Sequence, residues 1–291
     1  AIEKLQAAAD GARRLNLQEL FYNRDVAKPH LTKPIGGPAG NAHALKVWLA
    51  GVTHEVSAKL REIEAKQATG SSVNVYDQKY REVSSGGRPE LFSKGEPDTV
   101  LGHGQEVTRP ADTVRMVPET ELVSVYGLNK KGQLERLGYT GGNDVTDNGI
   151  EADNPLNLPQ AKNWSGGCAS LGPLLVTADA YDDGDVTVSC EILRNGARIG
   201  FKEGKTGRDN LNMPDNLLHL ERHLFSRIPL EERTLMAFYW GTPIVFTEED
   251  LSGGVQVGDL MRLHFSGGIG ALENGVKELV DTGQLAGLAK R

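Results

Sequence analysis

Two glutamates have the spacing of a metal site. Glu119 and Glu121 are separated by Thr120 at the start of the apolar segment 122–126. Side chains alternate between the two faces of a β-strand, so these carboxylates point the same way, about 7 Å apart. Neighbouring carboxylates repel each other unless a cation or protons lie between them. The pair alone is equally compatible with an exposed strand end that carries two solvated acids.

Asp144 favours the metal interpretation. It follows Gly141-Gly142-Asn143, which we predict to form a turn in which glycine lets the backbone approach a site closely. Three carboxylates without a histidine or cysteine suit Mg²⁺, with Mn²⁺ as the second choice, rather than zinc. Three protein ligands also leave positions for water and for a substrate that binds through two oxygens. The sequence therefore predicts a divalent-metal site of catalytic type.

Two other motifs have the outline of a site but lack a necessary part. The Gly-Lys-Thr sequence at 204–206 has Ile199 where a phosphate-binding loop needs a glycine. His219 and His223 have the spacing of a zinc-binding helix, but the glutamate between them points off the histidine face. We expect these histidines to lie on a solvated helix face.

Composition and charge exclude several classes of protein. With 38% hydrophobic and 24% charged residues in 291 positions, the chain has the balance of a folded globular protein. Its net charge of −7 opposes binding to nucleic acid and to anionic membranes, which both need a basic surface. No apolar run approaches the ~20 residues that span a bilayer, and the N-terminal residues lack a signal-peptide core. The two cysteines, Cys168 and Cys190, are expected to be buried and reduced, so we expect a cytoplasmic protein.

The elements that position these residues begin after a linker. Residues 1–40 are predicted to be a short helical stretch and a Pro/Gly-rich linker, and residues 41–291 a single catalytic domain. The apolar run 47–52 predicts a buried strand, and Thr53 is a candidate N-cap for a helix that follows it. The helical spacing and an i,i+4 ion pair support that helix, through Val56, Leu60 and Ile63 and through Glu55 with Lys59.

Short β-strands are predicted to dominate the remainder. The polar stretch 67–87 has no clear period and is predicted to be a mobile lid or an ordered insertion. Strands are predicted at 91–93, 122–126, 174–177, 186–193, 244–246 and 260–265. One later helix is predicted, with Asp215 as its cap and an apolar stripe of Leu217, Leu220, Leu224 and Ile228. Because there is no alternation of strand and helix, we predict a mainly β protein with a few helices, arranged as a mixed β-roll or sandwich.

At these positions the chain resembles the fumarylacetoacetate hydrolase family, from about residue 47 to residue 276. The resemblance rests on Glu119-Thr120-Glu121, Gly138-Tyr139-Thr140 with Asn143-Asp144-Val145, Lys162 with Gly172-Pro173, Gly241-Thr242-Pro243, and Gly258-Asp259 with Gly268-Ile269-Gly270. It implies a β-roll domain of the family's C-terminal type that usually dimerises. It also implies that Glu119, Glu121 and Asp144 hold Mg²⁺. Lys162 and Thr242 are implied to contact the substrate.

Within that family, two segments are similar to the 2-keto-3-deoxy-pentonate (arabinonate or xylonate) dehydratases. They are 151–162 (EADNPLNLPQAK) and 87–94 (GRPELFSK). The ring-opening hydrolases carry a catalytic histidine after the first strand, and Ser57 stands at that position here. The resemblance implies that the hydrolytic histidine has been lost and that Glu55 and Glu90 have been gained.

The expected reaction is dehydration of a small 2-keto acid to 2-oxoglutarate semialdehyde. Glu90 is the candidate base for the C3 proton, and Glu55 is expected to assist departure of the C4 hydroxyl. Lys162 is expected to add positive charge beside the enolate. Lys94, Thr242 and His54 are candidate substrate-binding residues. Glu55 is alternatively a favourable charge at the helix start, and Glu90 a structural partner of a neighbouring cation.

Two rival functions remain open, together with the oligomeric state. A C–C bond hydrolase of a 2,4-diketo acid would need a base for water, a role that His54 could take if its loop shifted. A binding protein without turnover could also keep this fold. As partners we expect a small 2-keto acid and a second copy of the chain, as a homodimer or a dimer of dimers.

Overall fold

The computed structural model describes residues 14–25, 27–36, 41, 44–56, 58–59, 63 and 75–284. Within them the helices are α1 Leu17–Tyr22, α2 Val75–Ser84, α3 Asn148–Asp153, α4 Leu158–Lys162 and α5 Leu217–Phe225. The strands are β1 Leu45–Gly51, β2 Glu90–Ser93, β3 Val100–Leu101, β4 Glu106–Arg109, β5 Met116–Val117, β6 Thr120–Leu128, β7 Leu134–Asp144, β8 Thr146–Asp147, β9 Ala169–Thr177, β10 Val186–Arg194, β11 Ala197–Thr206, β12 Leu235–Tyr239, β13 Leu260–Phe265 and β14 Gly270–Glu278. The prediction of a mainly β protein is confirmed.

Two large sheets carry the fold. The first has seven strands in the order β2-β1-β12-β6-β7-β9-β3, and the second has five in the order β11-β10-β13-β14-β4. A two-stranded sheet pairs β5 with β8. Strand β6 is buried on both faces, because Leu122 and Tyr126 belong to one hydrophobic cluster while Val123 and Val125 belong to another. The first sheet is therefore covered on both sides where it carries the acidic residues.

Helix α2 lies inside the polar stretch 67–87, which was predicted to be a mobile lid or an ordered insertion. Its buried positions are Tyr76, Tyr80 and Val83, which recur at helical spacing. The period is difficult to detect in the sequence because two of the three buried residues are tyrosines among charged neighbours. Residues 67–74 of that stretch lie outside the described part of the chain.

The predicted strand 244–246 is wrong. These residues are buried, but they form an irregular segment whose backbone carbonyls are bound by side chains. The Thr242 hydroxyl donates to the Ile244 carbonyl at 2.8 Å, and the Arg115 guanidinium donates to the Phe246 carbonyl at 2.6 Å. Side-chain donors thus replace a strand ladder at these groups.

Two helix details also differ from the prediction. Asn216, not Asp215, occupies the N-cap of α5, and Asp215 pairs with Arg222 instead. Helical structure follows His54, but Val56 and Ile63 are 57% and 51% exposed, so they do not form a core-facing stripe. Leu60 lies outside the described residues.

The N-terminal segment packs against the second sheet. The Arg24 guanidinium pairs with Glu273 on β14, and the Phe21 ring lies 4.1 Å from the His103 ring. The domain boundary near residue 40 stays a prediction. No helix among the described residues is long and apolar enough to cross a membrane.

Candidate metal centre and its cavity

Antiparallel pairing of β6 and β7 brings the three acidic residues together. Thr120 pairs with Asn143, and the Asp144 amide donates to the Glu119 carbonyl at 2.9 Å. One carboxylate oxygen from each of Glu119, Glu121 and Asp144 lies within 4.8 Å of the others. The three side chains are almost completely buried. Because inner strands of a sheet carry these carboxylates, main-chain hydrogen bonds fix their separation.

The predicted turn before Asp144 is instead the interior of β7. Its glycines have a packing role, because a Cβ on Gly142 would lie 2.3 Å from the Tyr239 ring. A Cβ on Gly141 would lie 2.3 Å from the Phe265 ring. The glycines therefore allow aromatic rings to pack directly against the strand that presents Asp144.

Two buried lysines compensate the carboxylates. Lys162 Nζ lies 2.7 Å from Asp144 Oδ2 and 3.1 Å from Glu119 Oε1, and it donates to the Thr146 hydroxyl at 2.7 Å. Lys94 Nζ lies 2.7 Å from Asp144 Oδ1 and donates to the Val145 carbonyl at 2.8 Å. Lys94 also donates to the Lys162 carbonyl and is completely buried.

The lysines and neighbouring carboxylates shift the pKa values of two carboxylates, those of Glu121 and Asp144. Burial raises the pKa of Glu121 well above its usual range, and the charges of Asp144 and Glu119 raise it further. Burial also acts to raise the pKa of Asp144, but Lys162 and Lys94 outweigh it and lower that pKa. The unfavourable negative charge is thus concentrated at Glu121, whose carboxylate forms no ion pair within 4.0 Å among the described residues.

A divalent cation fits this arrangement. Glu121 Oε2 accepts the Gly241 amide at 2.7 Å, whereas its Oε1 is buried without a hydrogen-bond donor among the described residues. A cation at the convergence of the three carboxylates would satisfy that oxygen and remove the repulsion that raises the Glu121 pKa. The all-oxygen donor set suits Mg²⁺ or Mn²⁺.

A cavity adjoins the carboxylates. Residues of β1, β2, α2, α3 and α4 contribute to its lining, which consists of Leu49, Ala50, Gly51, Val52, Ala58, Tyr76, Glu90, Phe92, Glu119, Glu121, Glu151, Leu158, Lys162, Gly241 and Thr242. Glu119, Glu121, Lys162, Glu90 and Thr242, all of which the sequence singled out, therefore face one cavity. Glu151 joins them.

Glu90 lies against Gly51, its partner across strands β1 and β2. A Cβ built on Gly51 would lie 2.1 Å from Glu90 Oε2 and 3.0 Å from its Cδ. The carboxylate therefore occupies the space above the glycine, which holds it at the cavity wall.

Glu55 and His54 are placed elsewhere. The Glu55 side chain is 58% exposed and pairs with Lys59 at 2.6 Å, and both Glu55 and His54 line a separate surface cavity. The His54 ring is buried between the hydroxyls of Thr53 and Thr206, and burial lowers its pKa to about 4. This placement does not support contact of either residue with a molecule at the carboxylates. Ser57 lies outside the described residues.

Two further predicted substrate contacts, Lys94 and Thr242, also bind protein groups. Lys94 is behind Asp144, and its donors already bind protein groups, so the structure assigns it to positioning Asp144 rather than to a substrate. Thr242 faces the cavity, but its hydroxyl binds the carbonyls of Thr120 and Ile244.

Sequence reasoning gave no role to Glu151, the buried acid of α3. The available signal was its position seven residues after Asp144, in the first turn of a helix that follows the Asp144 strand after the short strand β8.

Comparison with known proteins adds independent findings. The family profile for the fumarylacetoacetate (FAA) hydrolase C-terminal domain matches residues 63–277. The 2-dehydro-3-deoxy-D-arabinonate dehydratase of Saccharolobus solfataricus is 30% identical over 278 residues, covering 95% of this chain and 84% of that protein. A probable 2-keto-3-deoxyxylonate dehydratase of Haloferax volcanii is 32% identical over 249 residues, covering 85% of this chain and 75% of that protein.

Solved structures agree with these relatives. A 2-keto-3-deoxy-D-arabinonate dehydratase complexed with magnesium and 2,5-dioxopentanoate superposes with a TM-score of 0.71 at 26% identity, covering 96% of this chain and 89% of that one. Sequence, fold and the acidic cluster together show that the chain belongs to the fumarylacetoacetate hydrolase family.

Proposed function

We propose that this protein is a divalent-metal-dependent dehydratase of 2-keto-3-deoxy-pentonates. It would convert them to 2-oxoglutarate semialdehyde, which is the same compound as 2,5-dioxopentanoate. The observation that carries the proposal is the buried Glu119–Glu121–Asp144 cluster, which shares a cavity with Glu90 and Lys162. Relatives that are named as dehydratases of such acids support the choice of substrate.

The chain's own residues divide the chemistry between them. A divalent cation held by Glu119, Glu121 and Asp144 would supply Lewis-acid polarisation of the substrate's C2 carbonyl. Lys162 places a buried positive charge beside this carboxylate cluster, where it stabilises negative charge that develops on the substrate. Glu90, at the wall of the same cavity, removes the C3 proton. Buried apolar neighbours such as Leu49 limit the access of water.

The metal requirement is tested with Glu119→Gln. Mg²⁺ should stabilise the wild type by about 2.7 kcal/mol when it is present at 100 times its Kd. The variant should lose most of this stabilisation and most of its turnover, because one ligand charge is gone. Thermal unfolding with and without Mg²⁺ measures the first effect, and aldehyde formation measures the second. Mn²⁺ is compared in the same assay.

Glu135→Gln is the matched control, since Glu135 lies on strand β7 but is exposed at the end far from Asp144. It should keep the full response to Mg²⁺. A wild type that shows neither a shift in unfolding temperature nor a loss of activity after exhaustive chelation would contradict the proposed metal centre.

The reaction type is tested by substrate choice. The wild type should dehydrate a 2-keto-3-deoxy-pentonate and leave an acylpyruvate intact, because His54 does not line the cavity and no other histidine lines it in the described part of the chain. Proton NMR of both reactions identifies the products. Release of pyruvate from the acylpyruvate, with the pentonate untouched, would establish the rival hydrolase function.

A further inference from the structure

The proposed dehydration needs two proton-transfer groups, one at C3 and one at the C4 hydroxyl. Glu90 accounts for the first. Glu55 was the sequence-based candidate for the second, but it is exposed, paired with Lys59 and directed to a different cavity. Among the described residues that line the carboxylate cavity, Glu151 is the remaining acid outside the metal cluster and Glu90.

We infer that Glu151 donates the proton to the departing C4 hydroxyl. This inference rests on the proposed function and names a further catalytic residue for it. Glu151 is 5% exposed and faces the cavity from α3, whereas Glu90 faces it from β2. Two separate elements thus deliver one carboxyl group each to the same small space.

The local structure holds α3 firmly in place. Asp147 caps the helix through the Ile150 amide, and its two carboxylate oxygens also accept the amides of Val114 and Arg115 at 2.9 Å each. Glu151 lies in the first turn after this cap. Its backbone position is therefore fixed relative to β8, which directly follows the strand that carries Asp144.

With these two residues, the first step of the reaction balances in protons and electrons. Glu90 takes the C3 proton, and the electron pair of that C–H bond forms the C3–C4 double bond. The C4–O bond breaks with its electron pair on oxygen, which takes the proton of Glu151 and leaves as water. Glu90 is then protonated and Glu151 is a carboxylate.

The second step restores both residues. The Glu151 carboxylate removes a proton from C5, the double bonds shift, and Glu90 returns its proton to C3. This gives the enol of the aldehyde, with its double bond between C4 and C5, and the enol tautomerises to 2-oxoglutarate semialdehyde. No oxidant or reductant is consumed.

The test uses Glu151→Gln and a substrate whose leaving group needs no proton. With the natural C4 hydroxyl, the variant should lose turnover by roughly 10²–10⁴-fold, the usual contribution of general acid–base catalysis. With fluorine in place of that hydroxyl, fluoride release by the variant should stay within a few-fold of wild type. Exchange of C3 protons in D₂O should also stay near the wild-type rate, because Glu90 is intact.

Asp153→Asn is the matched control, because Asp153 is an exposed acid on the same helix. It should leave both reactions unchanged. Glu151→Asp, which keeps a carboxyl group, should recover part of the activity on the hydroxyl substrate.

The outcomes separate the two proposals. Equal losses of turnover by Glu151→Gln on the hydroxyl and fluoro substrates would show that Glu151 only shapes the cavity. This result would overturn its role as an acid. Unchanged turnover of Glu151→Gln would overturn it as well. A wild type that forms no aldehyde from 2-keto-3-deoxy acids would instead refute the proposed function itself.

Discussion

At the scale of single residues, the contact between Gly51 and Glu90 allows the position of the proposed base to be changed selectively. Gly51→Ala adds a methyl group where Glu90 Oε2 now lies, 2.1 Å away. Gly51 does not have a positive φ, so alanine can adopt its backbone conformation. We expect kcat to fall on the order of 10²-fold, as small misplacements of catalytic groups do. Dehydration kinetics and D₂O exchange at C3 measure the change.

The binding of Mg²⁺ should be unaffected by Gly51→Ala, because the three carboxylates are untouched. Gly36→Ala is the control, since a Cβ there meets only the distant end of Lys33. An unchanged C3 exchange rate in Gly51→Ala would show that the position of Glu90 does not matter to enolisation.

Residue-scale prediction succeeded where the geometry is local. The shared face of Glu119 and Glu121 follows from strand alternation, which needs no knowledge of the rest of the fold. Glu55 could not be placed in the same way, because its direction depends on how the helix after His54 lies against the sheet. Lys94 was assigned to the substrate because the sequence does not show that this lysine is buried behind Asp144. That burial is a property of the tertiary structure.

At the scale of elements, Lys94 joins three parts of the site. It directly follows β2, pairs with Asp144 at the end of β7, and donates to the last carbonyl of α4. Lys94→Met keeps the volume of the side chain but removes the charge. It should cost about 3–5 kcal/mol of the free energy of unfolding, the usual cost of breaking a buried pair.

Urea unfolding measures this cost, which should shrink at saturating Mg²⁺ because the cation also compensates Asp144. Lys205→Met removes an exposed partner of Asp185 and should change stability little. Equal losses in the two variants would contradict the structural role of Lys94.

Element prediction depended on whether a segment's pattern was apolar and periodic. Strands such as 186–193 alternate clearly and were predicted almost to their ends. Segment 244–246 is apolar because it is buried, and no local signal shows that side chains of Thr242 and Arg115 bind its carbonyls. Helix α2 was missed for the opposite reason, because its buried face is largely tyrosine.

At the scale of the whole molecule, His54 links folding to pH. Its pKa is lowered by burial to about 4, below the 6.5 of an exposed histidine. Both states are neutral above pH 6.5, so His54 then contributes no pH dependence. Between pH 6.5 and 4 the unfolded chain takes up a proton that the folded chain refuses, so stability falls; the loss is complete below pH 4.

At pH 5 this contribution amounts to about 2 kcal/mol. His54→Gln should therefore cost less stability at pH 5 than at pH 7.5, and urea unfolding at the two pH values measures the difference. His30→Gln is the control, since His30 lies in the N-terminal segment and is not part of the buried core. The same cost for His54→Gln at both pH values would show that His54 does not titrate as described.

The fold class was predictable from the sequence, but the strand order was not. The lack of alternation between strands and helices can be read from the order of sequence patterns along the chain. The parallel pairing of β1 with β12, in contrast, joins residues almost two hundred positions apart. No local pattern encodes such a pairing. The homodimer or dimer of dimers likewise stays a prediction, which sedimentation equilibrium can test.

The cavity is built from two kinds of wall, and this division bears on how the enzyme can evolve. Inner strands of the first sheet present the carboxylates of the candidate metal centre, while the residues after β1 and helices α2, α3 and α4 contribute other parts of the lining. Mutations in those helices at positions other than Glu151 and Lys162 can change which substrate acid is accepted without disturbing the strand pairs that hold the carboxylates. Selection for a new substrate can therefore act on short peripheral segments while the ancestral reaction centre is inherited unchanged.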